Sequence, residues 1–348
     1  MYKTNPFTLM YGIKAESIIP RNDSYNKIIS SFENNKSILM YLITGIRGCG
    51  KTVLLRKCYD YFYNKKDWIA IDLNPQGEIL NSLVNRLYEN NKAQKLFKDL
   101  KISINLPYVS VTKELNPSFD SELISEKIIS NLNKKDIKIL LTIDEVNNTQ
   151  EFKKFVNFYQ SIIGKGYSVF LLMTGLKENI NSIINDKAMT FLSRSPKIQI
   201  DPLNLPNIAL AYKEIFDIND ETAIKMAKLT NGYAFAYQVL GYLYYEDSNK
   251  TLNSTFISKY DSYLWDNGYN KFWSDLTKKE KEFLIALSLT NNGLKDEILK
   301  TNMISESNYS QYRKRLIEKG IWIYKSYNTL DFVLPRFKEF IHFAKEFE

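Results

Sequence analysis

Histidine, cysteine and long apolar runs are scarce in this chain of 348 residues. It holds one histidine, His342, and two cysteines, Cys49 and Cys58. Two cysteines cannot build a disulfide framework. With a single histidine they leave no structural zinc site of the usual kind. No run approaches the roughly 18 apolar residues that crossing a bilayer takes. The opening stretch "MYKTNPFTLMYGIK" lacks the charged-then-apolar order of a signal peptide. These absences predict a cytoplasmic protein, in reducing conditions, with no membrane partner.

What is present fits a soluble globular protein of two or three domains. Hydrophobic residues make up 44% and charged residues 25%, both ordinary values. With 24 Tyr and 20 Phe there is ample aromatic material for cores. The net charge of +8 permits contact with nucleic acid without demanding it.

Five apolar runs punctuate the first 203 residues. They are "SILMYLIT" (Ser37–Thr44), "DWIAIDLNP" (Asp67–Pro75), "IKILLTIDEV" (Ile137–Val146), "YSVFLLMTG" (Tyr167–Gly175) and "PKIQIDPL" (Pro196–Leu203). Continuous runs bounded by turn residues read as strands buried on both faces, as in a parallel sheet. Between them, Lys51–Tyr63, Gly77–Leu100, Phe119–Leu132 and Gln150–Ile163 carry helical spacing. Strands alternating with helices imply βαβ units and an α/β fold with a parallel five-stranded sheet. "ISINLPYVSVTKE" (Ile102–Glu114) alternates apolar and polar residues and reads as an inserted hairpin. After Leu203 the strand pattern stops. Three helical stretches, about Leu205–Tyr245, are closed by turns such as Asn231-Gly232.

The first strand runs into Gly45-Ile46-Arg47-Gly48-Cys49-Gly50-Lys51-Thr52, which satisfies G-x-x-x-x-G-K-[ST]. A phosphate can be wrapped by backbone only if N–H groups point inward, and glycine reaches the necessary angles without steric cost. The helix starting near Lys51, with Val53 in its first turn, adds unpaired N–H groups and the positive end of its dipole. In such a loop Lys51 reaches the β- and γ-phosphates of ATP and the Thr52 hydroxyl ligates Mg²⁺. Cys49 takes a variable position where a small side chain fits. Beside a helix N-terminus its thiol is expected to have a lowered pKa, so thiol reagents should inactivate and ATP should protect.

The third run ends in Asp144-Glu145. Two acids closing a buried strand are costly unless their charge is used. At the carboxyl edge of a parallel sheet Asp144 suits Mg²⁺, held through water, and Glu145 suits the attacking water. The fourth run is placed as the strand between the loop strand and the Asp-Glu strand. It ends at Thr174, whose hydroxyl suits sensing of the γ-phosphate.

Together these residues resemble the AAA+ and related signal-transduction ATPases, in particular archaeal-type and replication-initiator-like prokaryotic members. "NPF" (Asn5–Phe7) and Pro20-Arg21 look like the segment before the first helix, which in the family packs against the base. The resemblance carries Arg21 over as a nucleotide-binding residue, although the family often has Gly-Arg there. It implies an arginine finger at Arg194, before the fifth strand, completing a neighbour's site. It also implies a lid of three helices. Here the family's sensing arginine is replaced by Phe235, and its turn proline by Ala234.

The last third, "LTKKEKEFLIALS", "KDEILKTN" and "SESNYSQYRKRLIEKG", reads as three helices. Ser305 is an N-cap and Gly320 a stop. Two strand-like runs follow, and the order resembles a winged helix-turn-helix. Tyr309, Tyr312 and Leu316 are expected to face inward, and Ser307, Gln311, Lys314 and Glu318 outward. From Lys250 onward there are 16 basic and 13 acidic residues, too small an excess to single out DNA.

The expected organisation is an ATPase domain over residues 1–203, a helical lid over 204–248 and a winged helix over 249–348. The expected function is a slow ATPase switch that couples nucleotide state to the lid and the winged helix. The alternatives are a DNA-binding adaptor in which nucleotide is structural, and a regulator bound to a partner, for instance in stress or antiphage response. Partners in view are ATP/ADP, double-stranded DNA, a second copy of the chain and a regulatory protein.

Overall fold

The five apolar runs become five parallel strands in a computed structural model that describes residues 4–10, 15–34, 37–99, 120–319, 323–326 and 329–346. Helix α1 (Asn22–Asn34) leads into β1 (Met40–Thr44) and α2 (Lys51–Tyr63). Then come β2 (Trp68–Leu73), α3 (Ile79–Glu89), α4 (Asn91–Asp99) and α5 (Ser121–Asn133). The sheet is completed through β3 (Lys138–Ile143), α6 (Gln150–Gly164), β4 (Val169–Gly175), α7 (Lys177–Ile184), a 3-10 helix (Lys187–Arg194) and β5 (Lys197–Gln199).

The strand order is β2-β3-β4-β1-β5, all parallel. So β4 lies between the glycine-rich loop strand and the Asp-Glu strand, as the sequence predicts. Neighbouring strands stand about 4.8 Å apart. The end of β1 and the end of β3 are thus about 10 Å apart across the end of β4.

Successive side chains of a strand point to opposite faces, and the core divides accordingly. Tyr41, Ile43, Leu140, Phe170 and Leu172 join one buried cluster with Leu55, Cys58 and Phe62 of α2. Met40, Leu42, Ile139, Leu141, Leu171 and Met173 join a second with α3, α4, α5, α6 and α7. This double burial is why the runs are apolar throughout rather than alternating.

Two expectations change here. The Gly77–Leu100 stretch is two helices, α3 and α4, because Asn90 is extended (ψ 121°) and its side chain accepts from the Lys92 N–H at 3.0 Å. The local side-chain bond competes with helix continuation. The hairpin read over Ile102–Glu114 lies outside the described residues, as does the stop at Gly320.

Helices α8 (Leu205–Phe216), α9 (Asp220–Thr230) and α10 (Ala234–Glu246) follow the sheet. Asn5–Thr8 of the N-terminal segment packs against these helices, whereas Arg21 of the same segment reaches the loop after β1 and the chain after β5. Asn5 donates to Glu246 at 2.8 Å, and the Thr8 N–H donates to Gln238 at 3.1 Å. The Phe7 ring meets Tyr212, Phe216 and Tyr237. The reason is local: Gly241 leaves a notch in α10, and a Cβ there would collide with the Phe7 ring.

The chain ends in α11 (Ser254–Leu264), a π-turn (Trp265–Tyr269), α12 (Asn270–Ser274), α13 (Lys278–Ser288), α14 (Lys295–Lys300) and α15 (Glu306–Glu318). An antiparallel ribbon of β6 (Ile323–Ser326) and β7 (Thr329–Phe332) precedes α16 (Phe337–Glu346). Three helices and a ribbon are the order of a winged helix. Thr277 and Glu280 form a capping box at α13. Glu280 is 1% exposed and meets Lys319 at 2.8 Å, tying α13 to the end of α15. Burial pushes its carboxyl up, but the bonds from Lys319 and Thr277 outweigh this and hold it below the usual range. Arg336 grips Asp261 with two nitrogens, at 2.9 and 2.7 Å, and so ties the ribbon's exit to α11. Ser305 stands at the start of α15, but its hydroxyl bonds Ser307 rather than a helix N–H. Tyr309 and Leu316 are buried and Tyr312 half-buried, while Ser307, Gln311 and Lys314 are exposed. Among the described residues, no helix is long and apolar enough to cross a membrane.

Candidate functional site

The loop from Gly45 to Gly50 joins β1 to α2 at the carboxyl edge of the sheet. Gly50 starts α2 in the left-handed region (φ 96°), with no side chain capping the helix. The first-turn N–H groups of α2 are therefore offered to an anion. Gly48 also has positive φ (73°). Gly45 must be small for a different reason, since a Cβ there would sit 2.6 Å from the Cys49 sulfur.

Five consecutive loop carbonyls each have a donor. Lys51 is buried, and its Nζ donates to Gly45 O at 3.1 Å and Ile46 O at 2.9 Å. The Tyr233 hydroxyl donates to Arg47 O at 2.8 Å, and the Phe235 N–H donates to Gly48 O at 3.1 Å. Arg21 donates to Cys49 O at 2.9 Å and to Asp201 O at 2.5 Å. Its burial lowers the guanidinium pKa, against the pull of Cys49 and Asp201. Arg21 thus holds the loop backbone in this structure.

The first turn of α2 and the ends of β3 and β4 converge beside the loop. The Thr52 hydroxyl donates to Asp144 Oδ2 at 2.7 Å, and the Thr174 hydroxyl donates to Asp144 Oδ1. Thr174 also accepts from the Glu145 N–H at 3.0 Å, and its carbonyl accepts from the Val146 N–H at 2.9 Å. Glu145 has φ 57°, an uncommon value for a residue with a side chain. Its carboxylate is exposed at the edge while Asp144 is half-buried. A second contact lies one turn along α2. Arg56 donates to Asp72 at 2.8 Å, and Thr142 donates to the same carboxylate at 2.8 Å.

Of the residues singled out in the sequence, Gly45–Thr52, Asp144, Glu145, Thr174 and Arg21 come together. Val53 is exposed on the first turn of α2. Arg194 is exposed at the end of the 3-10 helix before β5, with no contact to this cluster among the described residues. Tyr233 joins the site, and Arg56 flanks it through Asp72; neither was singled out in the sequence. Tyr233 carries no motif, and only the fold brings it to the loop.

Cys49 departs from expectation. It is 5% exposed, and burial pushes its thiol up despite the nearby cations Lys51 and Arg21. Burial likewise pushes Cys58 up to about 12. The thiolate is the reactive form. Both cysteines are expected to react with a maleimide far more slowly than a free thiol near neutral pH, and at the free rate once unfolded in denaturant. Rapid labelling of Cys49 in the folded protein would contradict its burial.

A hard cation takes oxygen ligands, and Mg²⁺ uses only one or two protein groups beside phosphate and water. Thr52 and Asp144 present such a pair. Among the described residues, no cluster of three metal-ligating side chains exists elsewhere.

The Walker-type ATPase of Pyrococcus abyssi superposes with a TM-score of 0.66 at 17% identity, over 94% of this chain and 97% of that one. The ADPNP-ADP form of the Aeropyrum pernix ORC2 protein gives 0.56 at 12% identity, over 98% of each chain. The fold is that of the AAA+ P-loop ATPases. A family model described as a domain of unknown function (DUF8462) matches residues 266–341, from the π-turn before α12 into α16. No curated protein matches the sequence.

Proposed function

We propose that the chain binds ATP with Mg²⁺ at the Gly45–Thr52 loop and hydrolyses it slowly, as a switch. The observation that carries the reading is the convergence of Thr52, Asp144 and Thr174 in one hydrogen-bonded cluster beside an uncapped helix start. A chance loop match would not bring a hydroxyl of α2 onto the acid that closes β3.

In this reading the loop N–H groups and the start of α2 take the phosphates. Lys51 leaves the Gly45 and Ile46 carbonyls and turns to the β- and γ-phosphates. Thr52 and Asp144 would hold Mg²⁺, which would neutralise phosphate charge when bound. Glu145 orients the attacking water and accepts its proton. Thr174 stands where a γ-phosphate would change its bonds to Asp144 and Glu145. Residues 1–203 would then act as the base, 204–248 as the lid and 249–348 as the reader. Arg194 would act only on a neighbouring copy, and sizing the protein with and without ATP tests that role.

The outward side of α15 is mixed in sign, with Lys314 3.9 Å from Glu318 and Lys295 2.8 Å from Glu306. Titration with duplex DNA at two salt concentrations separates a DNA-binding reader from a protein-bound one, since only the first gives salt-dependent binding. The basic test is equilibrium titration with ATP and Mg²⁺, followed by phosphate release. Saturable binding with slow turnover is expected, and no saturable binding would overturn the reading.

A further inference from the structure

The lid turn that touches the loop also touches the ribbon. Asn231 is left-handed (φ 46°), and its amide donates to Val333 O at 3.0 Å and Phe332 O at 3.3 Å. Gly232 accepts from the Leu203 N–H at 2.7 Å, and a Cβ on it would lie 2.6 Å from Leu203 O. The turn is therefore fixed against the exit of the sheet. Tyr233 and Phe235 then bond Arg47 O and Gly48 O.

The contact is mutual. Helix α10 has no side chain capping its start. The Gly48 carbonyl takes the N–H of Phe235 in place of such a cap. A Cβ on Gly48 would stand 2.5 Å from the Tyr233 hydroxyl, so the loop backbone and this ring are in register. Behind them lies a void of about 10 Å³, lined among others by Arg21, Cys49, Ala234 and Val333. That is about one probe sphere. Val333 of the ribbon's end and Cys49 of the loop thus line the same small cleft.

We propose that the Asn231–Phe235 turn is a relay that ties the shape of the Gly45–Thr52 loop to the ribbon. Tyr233 is its positioning residue on the loop side and Asn231 its contact on the ribbon side. The proposal rests on the nucleotide reading for what bends the loop. The contacts themselves do not depend on it.

The test is amide hydrogen exchange on the full chain, with two variants chosen to keep the backbone. Tyr233→Phe removes only the hydroxyl. Asn231→Gly removes the amide and tolerates positive φ. In nucleotide-free protein, Tyr233→Phe should speed exchange at Leu330 and Phe332 by about threefold to tenfold, the scale of one lost hydrogen bond. Asn231→Gly should do the same at Cys49, whose N–H donates to Ile46 O at 3.3 Å, and at Phe235, whose N–H donates to Gly48 O at 3.1 Å. If each variant speeds exchange only on its own side of the turn, the contacts are local and the relay is refuted. With ATP and Mg²⁺, wild-type exchange at Leu330 and Phe332 should change, and the change should vanish in both variants. ATP that binds without altering the ribbon also refutes the relay. Absence of ATP binding would instead defeat the nucleotide reading, and the nucleotide-free arm would still decide the relay.

Discussion

Glu145→Gln is expected to leave ATP bound and to lower its turnover by about 10²–10⁴-fold, the range of a positioned general base. The exchange keeps the size and removes the charge that accepts a proton. The backbone at this position is turned into the left-handed region, and its N–H is fixed by the Thr174 hydroxyl. The amide should therefore occupy the same place as the carboxylate. Asp144 keeps both of its hydroxyl donors in the variant, so the cation pair of Thr52 and Asp144 stays intact. Titration with ATP and Mg²⁺ measures the first half of the expectation. Single-turnover phosphate release measures the second. Normal turnover would remove Glu145 from the water's path, and lost binding would show that its charge serves the ground state instead.

The sheet was legible in the sequence because burial on both faces forces continuous apolar runs, as in Ile139–Ile143 and Val169–Met173. The loop was legible as a turn between β1 and α2 because its glycine spacing supplies the positive φ that Gly48 and Gly50 adopt there. Asp144 was legible because an acid needs a use at the end of a buried strand. What stayed hidden depends on distant partners. Tyr233 and Arg47 are 186 positions apart and meet through a main-chain carbonyl, which carries no sequence signal. Phe7 goes to α8 and α10 because Gly241 leaves room, a fact of packing rather than of pattern. The raised pKa of the Cys49 thiol is hidden from the sequence for the same reason. The helix start argues for a lowered pKa, but burial dominates and burial is not readable from eight residues. The break at Asn90 is a local choice between two hydrogen-bond partners, and helical spacing continues across it.

Lys51→Ala should abolish useful ATP binding, and the structure says why the loss is specific. The ammonium is buried and donates to the carbonyls of Gly45 and Ile46. These neutral acceptors satisfy it between visits of an anion. Hydrogen bonds to charged groups are worth about 1.5–3 kcal/mol each, so losing one to a phosphate weakens binding by roughly 10- to 150-fold, and losing two multiplies the factor. The fold should suffer less. Ile46 O keeps the Cys49 N–H at 3.3 Å, and Gly45 O is the carbonyl left without the lysine. One unsatisfied carbonyl costs about 1–3 kcal/mol, partly offset because a buried cation is removed with it. Thermal unfolding separates the two effects. At about 100 times the dissociation constant, ATP stabilises a binding protein by about 2.7 kcal/mol, so the wild-type midpoint should rise with ATP and Mg²⁺. The Lys51→Ala midpoint should start somewhat lower and not respond. Lys51→Arg sharpens the argument, because it keeps the charge but places a planar fork where two carbonyls accept a compact ammonium. If arginine restored the ATP response, charge alone would account for Lys51; if it fails as alanine does, the fit of the ammonium within the loop is what the phosphates require.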